Sequence, residues 1–319
     1  MRRREFITLI GGAAAWPFMA RAQQTYRLGV LSGRGRQEPN FVAFFDELQQ
    51  FGIIEGKNLI VDPSGFGVGQ DRFADLAIKL VTSGASVILC AGDAAISAAQ
   101  ASTRTAPILA VSDDMVGAGL VRSLAHPGGN ITGASILSTE LNGKRLEFLM
   151  DAFNDAHRVA VLSDPSATTP KHLKKLQDEA RSRSVELAVY EAATPEEIVS
   201  AIDAASKAGT QAINVLASPL FSFNSSRIVE RTKTARLPAI FQWPEIAEEG
   251  GLLAYGPRIT LLYRQMARQL FKLMHNAKAA NLPVEQPTVF ELVANLKTAR
   301  EMGLDLPKTF LTRADRIIE

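Results

Sequence analysis

Short apolar runs and amphipathic helical stretches alternate along this chain, and the alternation occurs twice. Tyr26–Leu31 is an apolar run that ends at Ser32-Gly33. Phe41, Phe44, Phe45, Leu48 and Phe51 then recur at helical spacing, and Gly52 is placed to stop the helix. Leu59–Val61 reads as a second strand, and Phe73, Leu76, Ala77, Leu80 and Val81 as a second amphipathic helix. Val87–Ala91 is a third strand, an alanine-rich helix begins at Ala94, and residues 108–111 are a fourth strand leading into Ser112-Asp113-Asp114. Strands separated by helix-length segments call for a parallel sheet, because parallel neighbours need a crossover long enough to hold a helix.

The same order returns further along. Residues 158–162 form a strand, 170–181 a helix and 186–190 a strand. Thr194-Pro195-Glu196-Glu197 opens the next helix as a capping box, with threonine at the N-cap, proline at the first helical position and glutamate at the third. A strand at 212–216, the helix Ser225–Thr234 and the strand Ala239–Phe241 continue the series. The two halves also begin alike, Arg27-Leu-Gly-Val-Leu-Ser32 against Arg158-Val-Ala-Val-Leu-Ser163, with four of the six residues identical. The expected fold is therefore α/β, two doubly wound parallel-sheet lobes. The stretch HPGGNITG, residues 126–133, reads as a turn that delivers the chain from one lobe to the other.

The opening MRRREFITLIGGAAAWPFMARAQQ stands outside this pattern. Arg2, Arg3 and Arg4 precede an apolar run from Phe6 to Met19, and Ala20 and Ala22 flank Arg21 as a small-residue cleavage signal. That is an export address, expected to be cleaved over residues 1–23. Arg3-Arg4-Glu5-Phe6-Ile7 fits the twin-arginine form, and Arg21 beside the cleavage site favours that route over an ordinary Sec signal. No second run of about 18 apolar residues follows. The expected place is the periplasm. Cleavage also corrects the charge: 35 basic against 33 acidic residues becomes 31 against 32 once Arg2, Arg3, Arg4, Arg21 and Glu5 are gone, so nothing suggests a nucleic-acid partner. The lone Cys90, in Val87-Ile88-Leu89-Cys90-Ala91, reads as a buried strand thiol.

Residues for catalysis are hard to assemble. His126, His157, His172 and His275 have no neighbours at metal-ligand or triad spacing. Gly65-Phe66-Gly67-Val68-Gly69 resembles half a dinucleotide fingerprint, but Asp62-Pro63-Ser64 separates it from the preceding strand, so it reads as a flexible loop at the rim of a cleft. No catalytic residues, metal ligands or cofactor are expected. The loops at the strand ends are rich instead in hydrogen-bonding groups. Ser32, Gly33, Gly92, Asp93, Ser112 and Asp113 lie in the first half, and Asp164, Ser166 and Ser218 in the second. Hydroxyls and backbone amides at helix N-termini suit a carboxylate, and aspartates in the same ring suit an ammonium group. Phe221, Trp243 and Tyr255 gather near the same edges and would wall a pocket for an apolar or aromatic body. These twelve residues are the candidate ligand-binding set.

Five blocks carry a resemblance to a known family: RRREFITLIGGAAA, DDMVGAGLVRSLAHPGGNITG, ELNGKRLEFL, GGLLAYGP and PVEQPTVFELVANLKTAREMGL. With them the chain resembles the solute-binding proteins of ABC transporters, in the branch that includes tryptophan- and tyrosine-binding members. The resemblance implies the periplasmic-binding-protein type I fold, with a three-crossing hinge and a ligand cleft between the lobes. Lobe 1 would cover 24–135 and about 257–283, lobe 2 136–256 and about 284–319. It also implies a small-molecule ligand, an amino acid or aromatic acid, handed to an ABC permease with its ATPase. Many relatives have a hydroxyl residue after the glycine where this chain has Asp93, a carboxylate that, facing the cleft, would repel an acid or pair with an amine. An exported α/β enzyme and a ligand-sensing module for a membrane receptor are the alternative readings.

Overall fold

The computed structural model describes residues 25–136 and 138–319, with 138 and 139 described by their backbone. The export leader expected over 1–23 lies outside the described residues. No helix among the described residues is long and apolar enough to cross a membrane.

The strands build two sheets. The first contains β1 (Tyr26–Leu31), β2 (Leu59–Val61), β3 (Val87–Ala91), β4 (Ile108–Ser112) and β5 (Ile131–Ser135), in the spatial order β2-β1-β3-β4-β5, all parallel. The second contains β6 (Arg158–Ser163), β7 (Glu186–Glu191), β8 (Ala212–Val215), β9 (Ala239–Phe241), β10 (Leu253–Gly256), β11 (Glu291–Asn295) and β12 (Arg316–Ile318), in the order β12-β11-β10-β9-β8-β6-β7. Both sheets thus repeat one winding: the first strand of each half has the second on one side and the third on the other. Central strands are covered on both faces, which is why β3, β4 and β6 read as unbroken apolar runs rather than alternating ones.

Helices cover the sheets: α1 (Pro39–Gln50), α2 (Phe73–Thr82) and α3 (Asp93–Ser102) in the first half, then α4 (Ser138–Ala152), α5 (Pro170–Ser182), α6 (Pro195–Lys207), α7 (Pro219–Phe223), α8 (Ser225–Thr234) and α9 (Pro244–Glu248) in the second. The N-cap of α6 forms as expected, but the glutamate reaches one residue further back than a capping box requires. Thr194 Oγ1 accepts the Glu197 N–H at 3.3 Å, while the Glu197 carboxylate accepts the Ala193 N–H at 2.7 Å. The long α10 (Ile259–Met274) then returns to the first lobe and lies against α1, where Tyr263 meets Phe41 edge to face at 5.2 Å. Short α11 (Leu296–Met302) and α12 (Lys308–Leu311) close the chain on the second sheet.

Two readings of the sequence change here. Residues 131–133 are not part of a crossing turn but the start of β5, the edge strand of the first sheet; the chain leaves that sheet only after Ser135. The glycine-rich loop at 65–69 is packed at its start, where Gly65 is buried, while Gly67 and Gly69 are exposed. Ser32 donates its N–H to the Gly65 carbonyl and bridges to Phe66, whose ring meets Phe41 at 4.9 Å.

Three crossings join the lobes, between β5 and α4, between β10 and α10, and from residue 285 to β11. The last explains the one departure from parallel geometry. The chain leaves β10 at its carboxyl end and comes back from the other lobe at that same edge, so β11 has to run the opposite way and pairs antiparallel with β10. Fully buried Arg145 of α4 ties this junction, donating from Nε to the Tyr255 carbonyl at 2.8 Å and from Nη1 to Asn142 Oδ1 at 2.7 Å. Burial pulls its guanidinium down to about 10, opposed by the charge of Asp113 from the other lobe.

Candidate functional site

In an open sheet with strand order 2-1-3-4-5, the loops after the first and third strands diverge to opposite faces and leave a crevice at the carboxyl edge. Each lobe has one such crevice, and the two face each other. Between them lies a cavity of about 300 Å³, at the small end of the range for small-molecule sites. The first lobe contributes Gly92 and Asp93 where α3 begins, and Ser112 and Asp113 where β4 ends. The second contributes Ser166 after β6, Ser218 and Phe223 at the two ends of α7, and Trp243 after β9. Tyr263 and Ile259 of α10, on a crossing, supply part of the remaining wall.

The lobes touch around this cavity. Arg34 donates to Glu38 at 3.4 Å on its own lobe and to the Ser222 carbonyl of α7 at 3.2 Å, with its guanidinium 5.7 Å from the Phe223 ring centre. Gly33 lies so close to Phe223 that a Cβ there would sit 2.4 Å from Cε2. Gly92, at φ +92°, would carry a Cβ 3.0 Å from Pro219 Cγ. Both glycines therefore permit close approach of the other lobe, and at Gly92 the left-handed backbone also favours glycine. One buried apolar cluster accordingly holds residues of both lobes, among them Leu28 and Phe41 from the first and Ile213 and Trp243 from the second.

Hydrogen bonds fix the polar part of the wall. Ser112 donates its hydroxyl to Asp93 Oδ1 at 2.7 Å. Ser166 and Ser218 donate theirs to Asp164, to Oδ1 at 2.7 Å and Oδ2 at 2.5 Å. Trp243 is 4% exposed and donates from Nε1 to Ser222 Oγ at 2.9 Å. Burial pushes the Tyr263 phenol up to about 12, so it stays protonated across the physiological range.

Seven of the twelve candidate residues line the cavity: Gly92, Asp93, Ser112, Asp113, Ser166, Ser218 and Trp243. The other five lie elsewhere. Ser32 is buried and its hydroxyl accepts the Arg34 N–H at 3.0 Å, shaping the loop that presents Arg34. Gly33 backs onto Phe223, and Asp164 lies behind the wall as acceptor for two of its serines. Phe221 points into the core, 3% exposed, because two helical residues further on a side chain turns to a different face; that one, Phe223, reaches the cavity. Tyr255 packs on Phe148 at 4.8 Å, with its carbonyl held by Arg145.

Four of the wall residues that sequence reasoning missed fall into two groups. Arg34 and Ser222 are polar neighbours of strand-end loops already singled out, so proximity in sequence was an available signal. Tyr263 and Ile259 lie on α10, which only the crossing brings to the cavity. Among the described residues, none of the four histidines lines the cavity, and no cluster of three or more His, Cys, Asp or Glu is placed to hold a metal ion. What the site offers is shape, charge and hydrogen bonding.

Known proteins share this architecture. A structure of a conserved domain protein from Vibrio cholerae superposes with a TM-score of 0.83 at 21% identity, covering 92% of this chain and 99% of that one. The ABC domain from Streptococcus pneumonia in complex with L-Trp superposes with a TM-score of 0.81 at 20% identity, covering 92% of this chain and all of that one. The tyrosine-binding protein of Clostridioides difficile (strain R20291) is 26% identical over 271 residues, 83% of this chain and 76% of that protein. The fold is thus that of the type I periplasmic binding proteins. A family model described as ABC transporter substrate binding protein matches residues 32–318, nearly the whole described structure, and the chain belongs to that family.

Proposed function

We propose that this protein is the periplasmic receptor of an ABC importer. It captures a small carboxylate-bearing ligand, an amino acid or an aromatic acid, between its lobes and hands it to a permease driven by a cytoplasmic ATPase. The observation that carries this reading is the cavity itself, whose wall is drawn from both lobes and exists only when they meet. A ligand that touches both walls interacts more strongly with the closed form than with the open one, and so shifts the population toward closure. Micromolar affinity requires about −8 kcal/mol, which a buried aromatic ring and two charge-assisted hydrogen bonds can supply. The aromatic wall of Phe223, Trp243 and Tyr263 and the tyrosine- and L-Trp-binding relatives both favour an aromatic ligand. The leader over 1–23 supports export, by the twin-arginine machinery or by Sec.

Intrinsic fluorescence tests it. Trp16 falls in the expected leader, and Trp243, the tryptophan among the described residues, lies at the cavity. Refolded protein titrated with amino acids, aromatic acids and sugars should show a saturable change with one class, abolished in Trp243→Phe. No change with any class, together with an unmoved melting temperature, would remove the binding reading.

A further inference from the structure

We propose that the ligand is anchored by a protonated amine on Asp93, and that aromatic acids lacking an amine are rejected; this rests on the binding-protein reading above and narrows it. A serine hydroxyl has one proton to donate and lone pairs with which to accept. Ser112 gives its proton to Asp93, and Ser166 and Ser218 give theirs to Asp164. Asp164 is 2% exposed and also takes the Ser166 N–H at 2.8 Å, so these two hydroxyls are held with their protons turned away from the cavity. Ser112 and Ser166 can then offer a ligand only acceptor oxygens, and the Ser218 oxygen also accepts the Leu220 N–H at 3.0 Å. Ser222 is the exception, because its oxygen accepts from Trp243 and its own proton is left for a ligand.

The charged groups lean the same way. Arg34, a cation at the wall, is engaged by Glu38 and the Ser222 carbonyl. Asp113 lies in the field of the buried Arg145. Asp93 is different: its carboxylate accepts the Ser112 hydroxyl, and the side chain is exposed and lines the cavity. A carboxylate set among acceptor oxygens is matched by a group with positive charge and several N–H donors. An ammonium has three donors and no acceptor. A ligand carboxylate at this place would instead meet lone pairs and a like charge. The N-terminus of α3, which would otherwise favour an anion, already carries the Asp93 charge in its first turn.

Calorimetric titration of the full chain with matched triads tests this. The probes are L-phenylalanine, phenethylamine and 3-phenylpropionate, with the corresponding compounds built on phenol and on indole. In the triad whose ring fits, the amine and the amino acid should bind, and the propionate at least tenfold more weakly. Asp93→Asn, checked by its melting curve, should weaken the amine roughly tenfold to a hundredfold, the loss of one charge-assisted hydrogen bond. A propionate that binds as tightly as its amine overturns the proposal, as does an amine affinity indifferent to Asp93→Asn. Both results leave the binding-protein reading in place. Failure of all the probes to bind overturns this proposal, and the binding-protein reading is then decided by the wider titration above. The comparison among probes on the parent protein does not depend on how the variant folds.

Discussion

Replacing Gly33 by alanine adds one methyl group at the seam between the lobes. Its carbon would lie 2.4 Å from Phe223 Cε2, 2.7 Å from Cδ2 and 2.9 Å from Cζ, against about 3.5–4.0 Å for an ordinary carbon contact. The ring must therefore retreat by about 1 Å or the lobes must part slightly. Overpacking of this kind costs about 1–3 kcal/mol. Gly33 does not occupy the left-handed backbone region, so alanine is not strained there for its own sake. The penalty falls on the closed form alone, since Gly33 and Phe223 belong to different lobes. If the bound state is the closed one, the apparent dissociation constant rises by the same factor, roughly 5- to 150-fold. Calorimetry with an aromatic probe that binds the parent reads this directly, and thermal melting shows whether the variant is folded. A double-mutant cycle with Phe223→Ala isolates the contact, because the alanine penalty should disappear once the ring is gone. Equal affinities for parent and Gly33→Ala, or the same penalty in both backgrounds, would refute the contact as the seat of closure.

Other outcomes follow from buried groups. Arg145→Met removes a fully buried cation that serves the Tyr255 carbonyl, Asn142 and the field of Asp113; it should lower stability by about 3 kcal/mol, read from the urea midpoint. Cys90 is fully buried and its thiol is pushed up by burial, so a thiol reagent should label the native protein only at its rate of opening, and at once in denaturant. Glu47 is buried and held below the usual carboxylate range by hydrogen bonds from Arg268 and then Arg264. A depressed folded value adds stability above the unfolded value and loses it as pH falls through the folded one, so melting temperatures should drop below about pH 4, and Glu47→Gln should flatten that acid limb. Thr194→Ala should cost about 1 kcal/mol through the lost cap of α6, again measured by urea unfolding.

Much of the architecture is local chemistry written plainly in the chain. A five-residue apolar run such as Val87–Ala91, ended by Gly92-Asp93, has the length of a strand buried on both faces, and Thr194-Pro195-Glu196-Glu197 carries the capping pattern of a helix start. The repeat of one element order explains why both sheets wind alike. Where the local signal was weak, the reading failed. Residues 131–135 contain threonine, serine and glycine behind a Pro-Gly-Gly turn, and they form a strand because β4 is there to pair with.

The site needed more than local chemistry. The sequence by itself placed serines, aspartates and aromatic residues near strand ends, since those positions follow from where each strand stops. It also determined the burial of Cys90 and the two-lobed plan. Only the tertiary structure decided which loops meet, that Phe223 rather than Phe221 faces the cavity, and that α10 delivers Tyr263 from a distant part of the chain. It also decided the polarity of the wall. A serine donates or accepts according to whether a carboxylate such as Asp164 stands behind it, and that depends on the meeting of β6 with β8 across residues 163 to 218. Most helices and strands are set by neighbours in sequence, whereas the edge strand β5, hydrogen-bond direction and closure are set by neighbours in space.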